Sequence, residues 1–147
     1  MQEPKIGMLT RWNTVSEMLR IFPDAWESYS QNEANLMTPE SDIEKQGPHI
    51  LMFLVEQVLY RDLLLPAVQL DPTGAETIGL FDRVNLFCDE MLASDDFQVQ
   101  SAADTGIVQA LALGEIDSEY VLRRIRGPSR RNVIFQRRAH GKEVPEE

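Results

Sequence analysis

From residue 75 to residue 113 the apolar side chains return with the period of an α-helix, and the pattern breaks once, at Ser94-Asp95-Asp96. In the first half Ile78, Phe81, Val84, Cys88 and Met91 share one face, widened by Leu80 and Phe87. Asp82, Asn85, Asp89 and Glu90 fall on the other. In the second half Val99, Ala102, Ala103, Gly106, Ala110 and Leu113 form a stripe of mostly small residues, which lets two helix backbones approach closely. A glycine inside a helix costs about 1 kcal/mol relative to alanine, and close packing is the expected reason for tolerating Gly106. Ser94-Asp95-Asp96 supplies capping chemistry for the second helix, and Gly114 suits its C-terminal cap. Two such helices need further apolar surface to bury what they expose.

The rest of the chain offers it. Pro48 opens a helix in which Ile50, Leu51, Leu54, Val55, Val58 and Leu59 make a broad apolar surface, so this helix is expected at the centre and to end or kink at Pro66. Thr14-Val15-Ser16-Glu17 has the spacing of a capping box for a helix running to Ile21, and Pro23 starts a short second helix holding Trp26 and Tyr29. Residues 32–47 read as a polar loop. Asp71-Pro72-Thr73-Gly74 reads as a turn. Asp117 or Ser118 caps a helix with Val121, Leu122 and Ile125, which Gly127-Pro128 stops. Residues 129–138 fit either a helix or an edge strand, and 139–147 read as a disordered tail. The expected fold is all-α: a single compact helical domain of about five to six helices over residues 1–127, with a basic C-terminal segment and tail over 128–147. A chain of 147 residues is long enough for one core without disulfides or structural metal.

Charge is unevenly spread. Residues 1–122 carry six basic side chains against 21 acidic ones, and residues 123–147 carry eight basic against three acidic. An acidic body repels phosphate backbones and attracts cationic partners. The arginines at 123, 124, 126, 130, 131, 137 and 138 look like a nucleic-acid patch, but the body opposes that use. The preferred role for them is intramolecular, then a protein partner, then nucleic acid. The apolar stretch 50–70 is interrupted by Glu56, Arg61 and Asp62, so a buried helix is expected there and no membrane span. Residues 1–8 hold no signal-peptide core, and one cysteine fits a reducing compartment, so the expected location is cytoplasmic.

Catalytic patterns are weak. No phosphate-binding glycine loop, zinc-protease helix or nucleophile elbow is present. Cys88 lies on an apolar face, where a core role outweighs a nucleophilic one. Asp95 and Asp96, with Asp89 and Glu90 nearby, lack the spacing of a calcium loop, and helix capping explains them better. His49 at a helix start is the one candidate general base, although a structural histidine is the commoner reading. The chain is therefore expected to be no enzyme and to need no metal or cofactor.

Ile21-Phe22-Pro23, Pro48-His49-Ile50 and the run Leu80 to Gln100 (LFDRVNLFCDEMLASDDFQVQ) resemble small acidic all-α bacterial proteins, many of which accompany secreted polymorphic toxins as immunity proteins. The resemblance spans about half the chain and carries no catalytic residue. It implies a cytoplasmic inhibitor that binds a toxin domain with a cationic surface and occludes its active site. The expected contact carboxylates are Glu40, Asp42, Glu44, Asp89, Glu90, Asp95 and Asp96, because these two segments concentrate negative charge. The alternatives are a small helical enzyme using a carboxylate and His49, and a nucleic-acid-associated regulator acting through the arginine-rich segment.

Overall fold

A computed structural model describes residues 6–36 and 48–144. Helix α1 (Thr14–Ile21) is followed by a 3₁₀ turn (Pro23–Ala25) and α2 (Trp26–Leu36). Helix α3 (Pro48–Val55) continues through a π-helical stretch (Glu56–Leu64) into α4 (Leu65–Leu70). Helix α5 (Ala75–Leu92) pairs with α6 (Phe97–Ala102), which runs through a second π-helical stretch (Ala103–Val108) into α7 (Gln109–Leu113). Helices α8 (Ser118–Arg124) and α9 (Gly127–Ala139) complete the chain. Counted as continuous rods these are seven, with no strand among the described residues. The all-α expectation holds.

The core forms where the rod from 97 to 113 lies against the rod from 48 to 70. Phe81, Val84, Phe87, Cys88 and Met91 project into it from α5 and are buried. Phe22 meets Phe87 edge to face at 5.9 Å, a favourable arrangement for aromatic rings. Gly106 lies at a close approach of the rods: a Cβ there would stand 3.3 Å from the Met52 carbonyl oxygen. Gly114 is also a packing requirement. Its φ of −86° is open to any residue, but an added Cβ would lie 2.5 Å from the Tyr60 hydroxyl. Gly114 is the C-terminal cap expected there, its amide donating to the Ala110 carbonyl at 2.8 Å, and the crowding of that carbonyl and the Tyr60 ring is what calls for glycine.

Other local expectations are revised. Thr14 is the first residue of α1 and its hydroxyl donates to the Thr10 carbonyl at 2.6 Å, so it does not cap the Glu17 amide. That amide bonds the Asn13 carbonyl, and the Glu17 carboxylate takes the Arg20 guanidinium instead. Helix α2 extends to Leu36, beyond the expected start of the loop at residue 32. Pro66 does not end its rod. The Leu65 amide reaches the Tyr60 carbonyl five residues back, and the wider π-helical turn delivers Pro66 to the first turn of α4, where no N–H is needed. Gly127-Pro128 opens α9 rather than closing α8: Gly127 adopts φ +68° and Pro128 takes the first turn.

Residues 129–138 are helical, and Val133 packs into the core between α5 and α7. Beyond Ala139 the described chain folds back. The Lys142 amide donates to the Arg137 carbonyl at 2.8 Å, and Arg137 Nε donates to the Glu143 carbonyl at 2.8 Å. The tail expected from residue 139 is thus structured as far as these contacts reach.

Candidate interaction face

The seven carboxylates expected to meet a partner fall into three groups. Glu40, Asp42 and Glu44 lie outside the described residues, as does the side chain of His49. Asp89 and Asp96 are engaged within the chain. Glu90 is half-exposed and Asp95 is exposed.

Asp89 receives the start of α9. Its Oδ1 accepts from the Ser129 amide at 2.9 Å and from the Ser129 hydroxyl at 2.5 Å. One turn earlier, the Asn85 side chain donates to the Arg126 carbonyl at 3.1 Å and accepts from the Arg126 amide at 2.8 Å. Asn85 is buried, although its spacing puts it on the polar side of α5. The polar side of α5 is where α9 docks, held by two side chains one helical turn apart. A Cβ on Gly127 would come within 2.8 Å of Asp89 Oδ2, so this junction excludes larger residues.

Asp96 holds the N-terminal segment. It caps α6 by accepting from the Gln98 amide at 3.0 Å. Both its oxygens take the Arg11 guanidinium at 3.0 Å, and Oδ2 also accepts from the Arg11 amide at 2.7 Å. The Arg11 hydrogen bonds hold the Asp96 carboxyl below its ordinary pKa against the opposing effect of burial. Beside it the Ser94 hydroxyl donates to the Leu9 carbonyl at 2.5 Å. Residues 9–11 are strapped across the α5–α6 turn by these bonds.

The strap carries apolar surface with it. Met8 and Trp12 lie just outside it in the chain and Phe97 follows Asp96; Trp12 is 62% exposed and Phe97 72%. Phe97 also borders an open groove of about 480 Å³ between α6 and α9, lined further by Leu92, Gln100, Ser101, Asp104, Pro128 and Asn132. The periodicity contained this signal: Phe97, Gln100, Ser101 and Asp104 recur at the spacing of one helix face, opposite the small-residue stripe. A large exposed aromatic on this polar face departs from the amphipathic pattern.

A second groove, of about 450 Å³, lies over the two π-helical stretches. Tyr60 is buried there. Its hydroxyl donates to the Glu115 carboxylate at 3.2 Å and accepts from the Glu115 amide at 3.1 Å. Burial pushes its pKa up. Arg61 bridges Glu56 at 3.1 Å and Glu115 at 3.7 Å across the rim. Burial also pushes the Cys88 thiol up to about 12, which keeps it protonated and poorly nucleophilic at neutral pH. Among the described residues no three His, Cys, Asp or Glu side chains gather to hold a metal ion, and no helix is long and apolar enough to cross a membrane.

The C-terminal arginines divide by helix face. Arg124 stacks on the Tyr120 ring at 3.7 Å and bonds its carbonyl, Arg130 bonds the Leu122 carbonyl, and Arg137 bonds the Ala112 carbonyl at 2.8 Å. Arg124 thus bonds within α8, Arg130 ties α9 to α8 and Arg137 ties α9 to α7, each through a backbone carbonyl, whereas Arg123 reaches a carboxylate, Glu119, at 3.5 Å. Arg126, Arg131 and Arg138 are exposed.

Comparison with protein-family models, with curated proteins and with solved structures finds no match for this chain.

Proposed function

We propose that this protein is a binding protein of the immunity type, a cytoplasmic inhibitor that docks on a bacterial toxin domain and occludes its cationic active site. The observation that carries the reading is the face built on the Arg11–Asp96 junction. Trp12, Asp95 and Phe97, the chain neighbours of Arg11 and Asp96, stand in solvent, and the half-exposed Glu90 lies in the last turn of α5. Trp, Phe and Met are enriched at the centres of protein interfaces, where a few of them supply most of the affinity. Carboxylates around such a centre accelerate encounter with a cationic surface. The clamp makes the face rigid before binding, which lowers the ordering cost of association.

The test starts with affinity capture from the source cell, followed by binding kinetics with the captured partner at low and high salt. The expected partner is a protein whose activity the chain suppresses. Its association should slow with added salt and with the double substitution Glu90→Lys, Asp95→Lys. These two carboxylates replace the full acidic set in the experiment, because reversing Asp89 or Asp96 would also break the fold contacts described above. A partner that proves to be nucleic acid, or an association rate indifferent to both salt and the charge reversal, would overturn the reading.

A further inference from the structure

The outer face of α9 carries a different chemistry. Arg131, Phe135 and Arg138 are exposed, Phe135 at 71%, and their spacing of four and three residues places them in one line along the helix. The seven residue steps from Arg131 to Arg138 span about 10 Å of helix axis. The helix beneath them is fixed: Val133 is buried, Asp89 caps the first turn through Ser129, and Gln136 donates to the Asp104 carbonyl at 2.8 Å. An aromatic ring between two guanidiniums, held on a rigid rod, is an apolar contact with a positive charge at each end.

We propose that this face is a second docking surface, and that its occupant is an acidic amphipathic helix of a partner protein. The matching helix presents carboxylate, apolar side chain and carboxylate at the same spacing of four and three residues. Each carboxylate then meets one guanidinium, whose planar fork donates a bidentate pair of hydrogen bonds, and the apolar side chain covers Phe135. Charge complementarity decides for a short acidic helix over other anionic partners. The body over residues 1–122 has 21 acidic against six basic side chains. A long polyanion would extend past the α9 face and meet that field, while a helix of two or three turns stays within about one Debye length of the guanidiniums. A second copy of the chain brings the same net charge of −10 and is repelled at long range. Pro128 and Asn132 of the same helix line the groove beside Phe97, but none of the three side chains used here lines it, and the test below does not depend on the Trp12–Phe97 face.

The experiment uses the full chain and a fluorescent helical peptide with Glu, Leu and Glu at the stated spacing, measured by anisotropy at physiological salt. Parallel arms use the same peptide with Lys for Glu, an oligo-dT strand and vesicles containing phosphatidylserine. The acidic peptide should bind, weaken as salt rises, and lose at least about tenfold in affinity with Arg131→Glu plus Arg138→Glu and, separately, with Phe135→Ala. Circular dichroism of both variants should match the parent, since all three side chains face solvent. The proposal is overturned by no binding of the acidic peptide, by equal binding of the lysine peptide, by tighter binding of oligo-dT or vesicles, or by variants that bind as the parent does.

Discussion

Phe81 and Phe97 occupy the same helical hairpin, one on each arm, and end in opposite surroundings: the first is 1% exposed and the second 72%. The residue type is identical, so the difference lies in the helix face each occupies. Phe81 shares its face with Val84 and Cys88, and that face closes on the core. Phe97 stands with Gln100, Ser101 and Asp104, beside the groove toward α9. On α5 the aromatic contributes to folding; at the start of α6 it is left for something else. Predictions that separate the two positions follow from this contrast.

The largest effect is expected at Phe81. Phe81→Ala removes a buried ring from a packed core and should cost about 3–5 kcal/mol, because the lost transfer energy is joined by the cavity left behind. The ring also stands edge to face with Tyr120 at 6.1 Å, so α8 should loosen with it. Chemical denaturation of the variant measures this directly. A loss below about 1 kcal/mol would mean that the site is not closed and would dissolve the contrast with Phe97.

An intermediate effect is expected at Asp96, which joins the two regimes. Asp96→Ala removes a helix cap and the anchor of the N-terminal strap together, for a loss of about 2 kcal/mol at neutral pH. The pH dependence has a definite sign. The Asp96 pKa is lowered in the folded chain, so its contribution is complete above the ordinary carboxylate pKa of about 4 and is lost as pH falls through the depressed folded value. The stability gap between parent and variant should therefore stay constant from neutral pH down to about pH 5 and close under more acidic conditions. A gap that widens on acidification would remove the Arg11–Asp96 bond from the account of the strap.

Much of the fold was legible because helix periodicity reports burial. The α5–α6 hairpin, the apolar helix opened by Pro48 and the close approach at Gly106 follow from the spacing of apolar and small residues, whereas the continuation of that helix through Pro66 to Leu70 does not. What the sequence concealed was how polar side chains are used at junctions. Asn85 and Asp89 recur on a polar face, and nothing in their spacing distinguishes a solvated face from one that receives another helix through hydrogen bonds. The two π-helical stretches were equally hidden, since the apolar surfaces over 50–64 and 99–113 are broad enough to absorb the phase shift that a wider turn introduces. For the candidate face, charge density points to the acidic residues, and two of them, Asp89 and Asp96, hold the structure together. The aromatic members were present in the pattern as misfits. Phe97 on the polar side of α6 and Phe135 between Arg131 and Arg138 each break the amphipathic rule, and both stand in solvent.

The smallest effect on stability, and the sharpest test of the contrast, is expected at Phe97. Phe97→Ala should change the unfolding free energy by no more than about 0.5 kcal/mol, since an exposed side chain has little burial to lose. The same should hold for Trp12→Ala, because the strap is held by the backbone and guanidinium of Arg11 rather than by the indole. Both rings have a defined place nonetheless: the cap at Asp96 and the bond of Ser94 to the Leu9 carbonyl fix the backbone on each side of them. A ring carried on a fixed backbone has only its own side-chain rotations to lose when a partner covers it, so truncation should appear in binding where it is absent from stability. For a central contact the expected loss is about 2 kcal/mol or more, seen mainly as faster dissociation, whereas the Glu90 and Asp95 substitutions should act mainly on association. Paired melts and dissociation rates for Phe81→Ala and Phe97→Ala therefore form a crossed design: the first variant should lose stability and the second should lose lifetime of the complex. If Phe97→Ala melted several degrees lower, the ring would belong to the core after all; if it melted like the parent and released the partner at the parent's rate, the docking face would have to lie elsewhere on the molecule.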